Sequence, residues 1–388
     1  MGKEEAILLL IMSAGAFIIP LISKKLLLPS AVGEILFGMV LGIFFKGFIE
    51  EVHILKFLGE FGFIILMYLA GLEVDVENIK RTTKLHLTGY VLIYIIMAVT
   101  SSLIVYYFNL PLIYILVFIT TAIGLLYPVL KDTGILHTNF GQRLLIIGSV
   151  GEVISLIAIT IFAVYFQSGI SLQSLSHLLG IYIFFAAAYV MLRLFQLYLW
   201  WYPEFSKLFV QIGDTAESGI RANFVNMFVF VSLASILGLE AIIGAFFGGL
   251  LFALVFKERE QIKERIASFG YGFLIPIFFI EVGLRFNIKE LLHIDVLIKA
   301  IVLTLSILLI KFLGSLVLIF LRTPLWQVIL TPIALSMPLT LLVAVATIFM
   351  ELKVLDNHQG AIIILAAIIS AIIYPWIFKI MVKNVKLN

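Results

Sequence analysis

Thirteen stretches of this chain are apolar for long enough to cross, or nearly cross, a lipid bilayer, and this sets the fold class before anything else. They lie at roughly 5–23, 31–46, 54–72, 86–108, 112–130, 143–166, 178–200, 220–237, 239–256, 268–284, 296–320, 326–350 and 360–382, where a spanning helix needs about 20 residues. In hydrocarbon every backbone N–H and C=O must be paired within the protein, so only helices or a closed barrel can span. The stretches are continuous rather than alternating in short runs, which selects helices. Composition agrees: 63% of the 388 residues are hydrophobic and 13% charged, and the mean hydropathy is +1.19. A soluble body of this size could not be coated by so few charges. The sequence therefore reads as an all-α polytopic membrane protein of about 13 transmembrane helices.

Several functions are excluded on the same grounds. The net charge of +3 is spread over loops, without the basic stripe that nucleic-acid binding needs. There is no cysteine, hence no disulfide and no thiolate chemistry. The sequence contains no His-Glu-x-x-His, Gly-x-Ser-x-Gly, Gly-x-x-x-x-Gly-Lys or Gly-x-Gly-x-x-Gly motif. Its histidines lie at or beside loops without a metal-ligand spacing. Neither an enzyme nor a resident metal or cofactor is expected. The start, Met1-Gly2-Lys3-Glu4-Glu5, mixes acid with base and lacks a small-residue cleavage site, so the first stretch is expected to be a retained helix. About six residues follow the last stretch, so no soluble regulatory domain is expected there.

With the N-terminus outside, the inner loops receive most of the Lys and Arg, among them Lys24, Lys25, Lys80, Arg81, Lys131, Arg143, Lys257 and Arg259. The outer loops receive Lys3, Lys46, Lys56, Arg285, Lys289 and Lys353. That imbalance predicts N-out and C-in. An odd helix number also allows a 6 + 1 + 6 arrangement, in which the seventh segment joins two halves of opposite orientation. The fifth segment carries Thr120-Thr121-Ala122-Ile123-Gly124 and then Pro128. The twelfth carries Pro332, Ser336, Met337, Pro338 and Thr340. Helix-breaking residues at corresponding positions of two halves point to a transporter site built on discontinuous helices.

The charges inside the apolar stretches are few. Glu152 sits near the middle of the sixth segment, in Gly148-Ser149-Val150-Gly151-Glu152-Val153-Ile154-Ser155. A charge there costs about 2.5–3.5 kcal/mol on insertion scales, and such residues mark ion or proton pathways. Burial works against the ionised carboxylate, so it can hold a proton or a small cation, but not both comfortably. Lys311 lies inside the eleventh segment, too far from either end for its stem to reach water easily. An ion pair with an intramembrane acid is the economical expectation, and Glu281, near the end of the tenth segment, is a candidate second acid. Glu34, Glu60 and Glu73 lie towards segment ends, where acids face headgroups or cap neighbours. Glu217 and Arg221, one turn apart, read as an interfacial pair, and Arg193 has no account.

Several segments together resemble the monovalent cation:proton antiporter superfamily, in the branch of bacterial sodium/proton antiporters and Kef-type membrane domains. They are Pro29-Ser30-Ala31-Val32-Gly33-Glu34-Ile35-Leu36-Phe37-Gly38, Leu58-Gly59-Glu60-Phe61-Gly62, Leu69-Ala70-Gly71-Leu72-Glu73-Val74-Asp75, Pro128-Val129-Leu130-Lys131, Ile243-Gly244-Ala245-Phe246-Phe247-Gly248-Gly249-Leu250, Ile275-Pro276-Ile277-Phe278-Phe279, and Lys311 with Gly314. Their order and spacing cover nearly the whole chain.

The resemblance implies two inverted repeats whose broken helices cross near the membrane midplane, and a core that moves against a dimer-forming scaffold. On that basis residues 1–50 and 178–257 would form the scaffold with its linker helix, and 51–177 and 258–388 the two halves of the core. Glu152 falls at the position of the essential acid. Thr121, with Thr120 and Ser155, would complete the cation and proton site. Lys311 and Glu281 would be the charge partners, and Gly124, Pro128, Ser336 and Pro338 would mark the breaks. The implied partners are sodium or potassium, protons, the bilayer and a second copy. The implied location is a bacterial or archaeal plasma membrane.

Two departures matter. Gly151 stands where the family commonly has an acid or Asn, followed here by Glu rather than Asp. Ala122 and Ile123 stand where Thr121 is usually followed by Ser or Asp and then Pro. A single carboxylate favours one-for-one exchange. The rival readings are a sodium-coupled symporter of an organic anion, the membrane module of a ligand-gated potassium efflux system, and an intramembrane enzyme or scaffold, the missing catalytic motifs arguing against the enzyme.

Overall fold

The computed structural model describes residues 3–26, 28–49, 53–74, 82–168, 172–202, 204, 217–256, 260–285 and 293–384. Lys80, Arg81, Lys257, Arg259 and Lys289, used above for orientation, lie outside them. The described residues form helices α1 (Lys3–Lys25), α2 (Ser30–Ile49), α3 (His53–Glu73), α4 (Lys84–Tyr107), α5 (Ile113–Ile119), α6 (Leu126–Asp132), α7 (Asn139–Ser168), α8 (Leu172–Trp201) and α9 (Ser218–Ile236). These are followed by α10 (Ala241–Val255), α11 (Glu260–Phe269), α12 (Ile275–Arg285), α13 (Ile294–Ser315), α14 (Val317–Phe320), α15 (Leu325–Leu335), α16 (Leu339–Glu351) and α17 (Asn357–Asn384). No strand occurs among the described residues.

Nine helical stretches among the described residues are long and apolar enough to span a membrane. The difference from thirteen has identifiable sources. The second and ninth segments are shorter apolar helices, Ser30–Phe44 and Ala241–Val255. The fifth is broken into α5 and α6. The seventh is α8, which is not among the nine.

Two compact units emerge, Met1–Val74 with Gln167–Arg285, and Asp75–Phe166 with Phe286–Asn388. These boundaries differ from those expected at 50, 177 and 257, because α3 and α12 pack inside the first unit. Glycine explains why. A Cβ on Gly71 of α3 would lie 2.1 Å from Phe246 O of α10, and one on Gly249 of α10 would lie 2.1 Å from Tyr68 O of α3. The same reciprocity joins α2 to α12: Gly38 meets Ile280 O and Gly283 meets Ile35 O, each at 2.1 Å. Under a 6 + 1 + 6 scheme the second segment matches the ninth and the third matches the tenth. One glycine contact is then the repeat image of the other. Small residues let helix backbones approach where apolar burial gives no net drive.

Beside the first contact lies a buried polar cluster. Tyr68 Oη donates to Asn223 Oδ1 at 2.8 Å, and Asn226 Nδ2 donates to Tyr68 Oη at 3.1 Å and Gly248 O at 2.9 Å. Gly249→Ala should therefore destabilise the protein by about 1–3 kcal/mol through overpacking, read as a lower thermal midpoint in detergent. Gly272→Ala, where a Cβ meets nothing within 4 Å, should leave the midpoint within about 0.5 kcal/mol of wild type. Equal midpoints for the two variants would remove the close-packing argument.

Candidate functional site

The second unit contains both broken helices. The first ends at Ile119, where Thr120 turns extended at φ −56°, ψ 127°. The Thr120 hydroxyl assists by donating to Leu116 O at 2.6 Å, a side-chain bond that competes with helix continuation. Helix resumes at Leu126, and Pro128 lies in the first turn of α6, where its missing N–H costs nothing. The second break follows the same logic. Pro338 is the N-cap of α16, and the Ser336 hydroxyl donates to Pro332 O at 2.7 Å. The two breaks lie together: a Cβ on Gly124 would meet Thr340 Cγ2 at 3.6 Å.

A break leaves terminal carbonyls without helical partners. Lys311 of α13, wholly buried, supplies one donor to each break. Its Nζ donates to Thr120 O at 2.7 Å and to Leu335 O at 2.5 Å. In place of the expected ion pair with an acid, its hydrogen bonds among the described residues go to two backbone carbonyls. Glu281 belongs to the first unit. Its Oε1 accepts from Arg285 Nε at 2.6 Å. Gly314, one turn past Lys311, lets α13 approach α4, since a Cβ there would be 2.7 Å from Met97 Cγ.

Glu152 of α7 is 1% exposed and faces the first break, where Oε2 accepts from Ile123 N at 3.4 Å. Ser155, one turn on, accepts from Thr121 N at 3.0 Å and donates to Gly151 O at 2.7 Å. The Thr121 hydroxyl donates to Ile119 O at 3.3 Å. The structure thus brings Glu152, Thr120, Thr121, Ser155, Gly124 and Lys311 to one place. The hydroxyl hydrogens of Thr120 and Ser155 are committed to carbonyls, so acceptor lone pairs remain on these oxygens. A carboxylate among acceptor oxygens suits a proton or a hard monovalent cation. Among the described residues no group of three or more His, Asp or Glu could hold a metal ion.

Other residues resolve differently. Glu34 is buried at 3% exposure, not facing headgroups, because the close α2–α12 contact encloses its helix. Glu60 lies exposed near Lys56 at 3.8 Å. Glu217 is 3.5 Å from Arg265 rather than paired with Arg221. Arg193 reaches Tyr189 Oη at 3.1 Å, its guanidinium over that ring. Arg143 ties the start of α7 to the turn before α15 and its first residues, donating to Gln327 Oε1 at 2.9 Å and Thr323 Oγ1 at 3.3 Å. Tyr94 of α4 was not marked by the sequence, yet its hydroxyl lies against Gly151. Only the bare position 151 could have hinted that another side chain fills the space.

The family model described as sodium/hydrogen exchanger, transmembrane, matches residues 13–384. The chain is 29% identical over 395 aligned positions to a putative Na(+)/H(+) antiporter, YjbQ, of Bacillus subtilis, covering 95% of this chain and 62% of that one. This chain thus spans less than two thirds of that relative's length. It is 26% identical to a probable Na(+)/H(+) antiporter of Methanocaldococcus jannaschii, covering 94% and 93% of the two chains. The solved structure of the sodium proton antiporter MjNhaP1 from the same organism matches with a TM-score of 0.65 over 99% of each chain, at 18% identity.

Proposed function

The chain belongs to the sodium/hydrogen exchanger family, and from that premise we propose that it is a secondary antiporter exchanging sodium or potassium for protons at Glu152. The observation that carries this reading is the enclosure of Glu152 beside a helix break, among oxygens whose hydrogens point elsewhere. Protonation and cation binding each neutralise the carboxylate, and each excludes the other. That exclusion couples the two fluxes: the carboxylate crosses loaded with one or the other, because an empty buried charge is too costly.

The unit holding both breaks is the transport domain, and the glycine-locked unit is the scaffold that dimerises. Alternating access is motion of the first against the second. Lys311 braces the two breaks from within the transport domain. With one carboxylate at the centre, the exchange is one cation for one proton. The membrane is a bacterial or archaeal plasma membrane, with the N-terminus outside and the C-terminus in the cytoplasm.

The test is transport in liposomes carrying an internal pH dye. A pH gradient is imposed, and sodium, potassium and lithium are added in turn. Collapse of the gradient by sodium or potassium is expected. No response to any of the three, from folded protein, would contradict antiport and shift the weight to organic-anion symport or a partner-gated module.

A further inference from the structure

The residue before Glu152 has no side chain, and a phenol from another helix fills the space. A Cβ on Gly151 would lie 2.0 Å from Tyr94 Oη and 2.3 Å from Cζ. Position 151 can therefore carry a side chain only if Tyr94 moves. The ring is buried at 2% exposure, and Oη donates to Ile147 O at 2.9 Å, one turn before Gly151. A phenol has one hydrogen to give, so the rest of its oxygen is acceptor. That oxygen lies against the residue preceding Glu152 and within hydrogen-bond reach of the side chain of Thr121, a residue whose backbone N–H donates to Ser155 Oγ one turn past Glu152. An acceptor oxygen and a carboxylate in one enclosed site repel each other. The arrangement becomes favourable when a cation lies between them.

We propose that Tyr94 is a cation ligand: its hydroxyl, seated in the space that Gly151 leaves open, supplies a neutral oxygen to the monovalent cation held at Glu152. The proposal rests on the reading of Glu152 as the ion site and adds to it. The bond to Ile147 O fixes the oxygen on the helix that carries Glu152, so the distance between the two oxygens is set by α7. A fixed distance discriminates cations by size.

Tyr94→Phe removes the oxygen and keeps the packing. Initial rates in liposomes should show the KM for the preferred cation rising about tenfold, the loss of roughly one hydrogen-bond-strength contact to a charge. Vmax should stay within about twofold, and the KM ratios among sodium, potassium and lithium should change. At a fixed subsaturating cation concentration the acid limb of activity should move to higher pH, because a weaker cation yields to protons sooner. Gly151→Ala, which displaces the phenol, should shift KM in the same direction.

Unchanged KM values and ratios in both variants, or a fall in Vmax at constant KM, would overturn the proposal. Glu152→Gln is measured beside them. If it transports normally, the site reading itself fails. If it is inactive while Tyr94→Phe behaves as wild type, only the role of Tyr94 fails.

Discussion

Glu152→Gln should abolish cation-driven proton movement, by about 100-fold or more, while the protein elutes and melts like wild type. Glutamine keeps the size of the side chain and an acceptor oxygen for Ile123 N, which now sits 3.4 Å from Oε2. It removes the one property the account requires, a charge that a proton or a cation can cancel. A cation placed in this buried pocket without a counter-charge loses several kcal/mol of attraction that offset its desolvation. Each 1.36 kcal/mol is tenfold in rate, so a loss of about 3 kcal/mol already exceeds 100-fold. Stability should hold, because the amide relieves the cost of enclosing an ionised carboxylate. A variant that melts much lower would instead assign Glu152 to holding helices together.

Lys311→Met should behave in the opposite way, lowering stability by about 2–4 kcal/mol as well as impairing exchange. The lysine donates to Thr120 O and Leu335 O at 2.7 and 2.5 Å, one carbonyl from each broken helix. Charge-assisted bonds of this kind are worth about 1.5–3 kcal/mol each. Methionine fills the volume but donates nothing, leaving two terminal carbonyls unpaired at a cost of about 1–3 kcal/mol each. Losing the buried ammonium returns part of that. The net sign rests on the two carbonyls, and the thermal midpoint in detergent measures it. A midpoint equal to or above that of wild type would show that the breaks do not depend on Lys311.

The sequence was most informative where the physics is local. Hydropathy located the long helices, and it was least definite at the second, eighth and ninth segments, which are short or closely joined. Pro128 and Pro338 with the hydroxyls of Thr120 and Ser336 marked both breaks, since proline and side-chain bonds to carbonyls act within a turn. Glu152 stood out because a lone acid in hydrocarbon is costly.

What stayed hidden depends on contacts distant in sequence. Lys311 was expected to face an acid, but a broken helix creates acceptors from backbone, and backbone acceptors leave no trace in residue identity. Glu281 was considered for that role, yet it accepts from Arg285, one turn further on its own helix. The unit boundaries followed reciprocal glycine contacts between α3 and α10 and between α2 and α12, which no single segment reveals. Tyr94 is one tyrosine among 14, and only its position over Gly151 distinguishes it.

The central claim is that one group holds either a cation or a proton, and the most direct measurement is proton release on cation binding. Purified protein in weakly buffered detergent is titrated with sodium, potassium or lithium while pH is recorded, with Glu152→Gln in parallel. The account predicts up to about one proton released per cation bound at a pH where the site is protonated, and none from the variant. Cation binding by wild type without proton release at any pH, or equal release from Glu152→Gln, would contradict it.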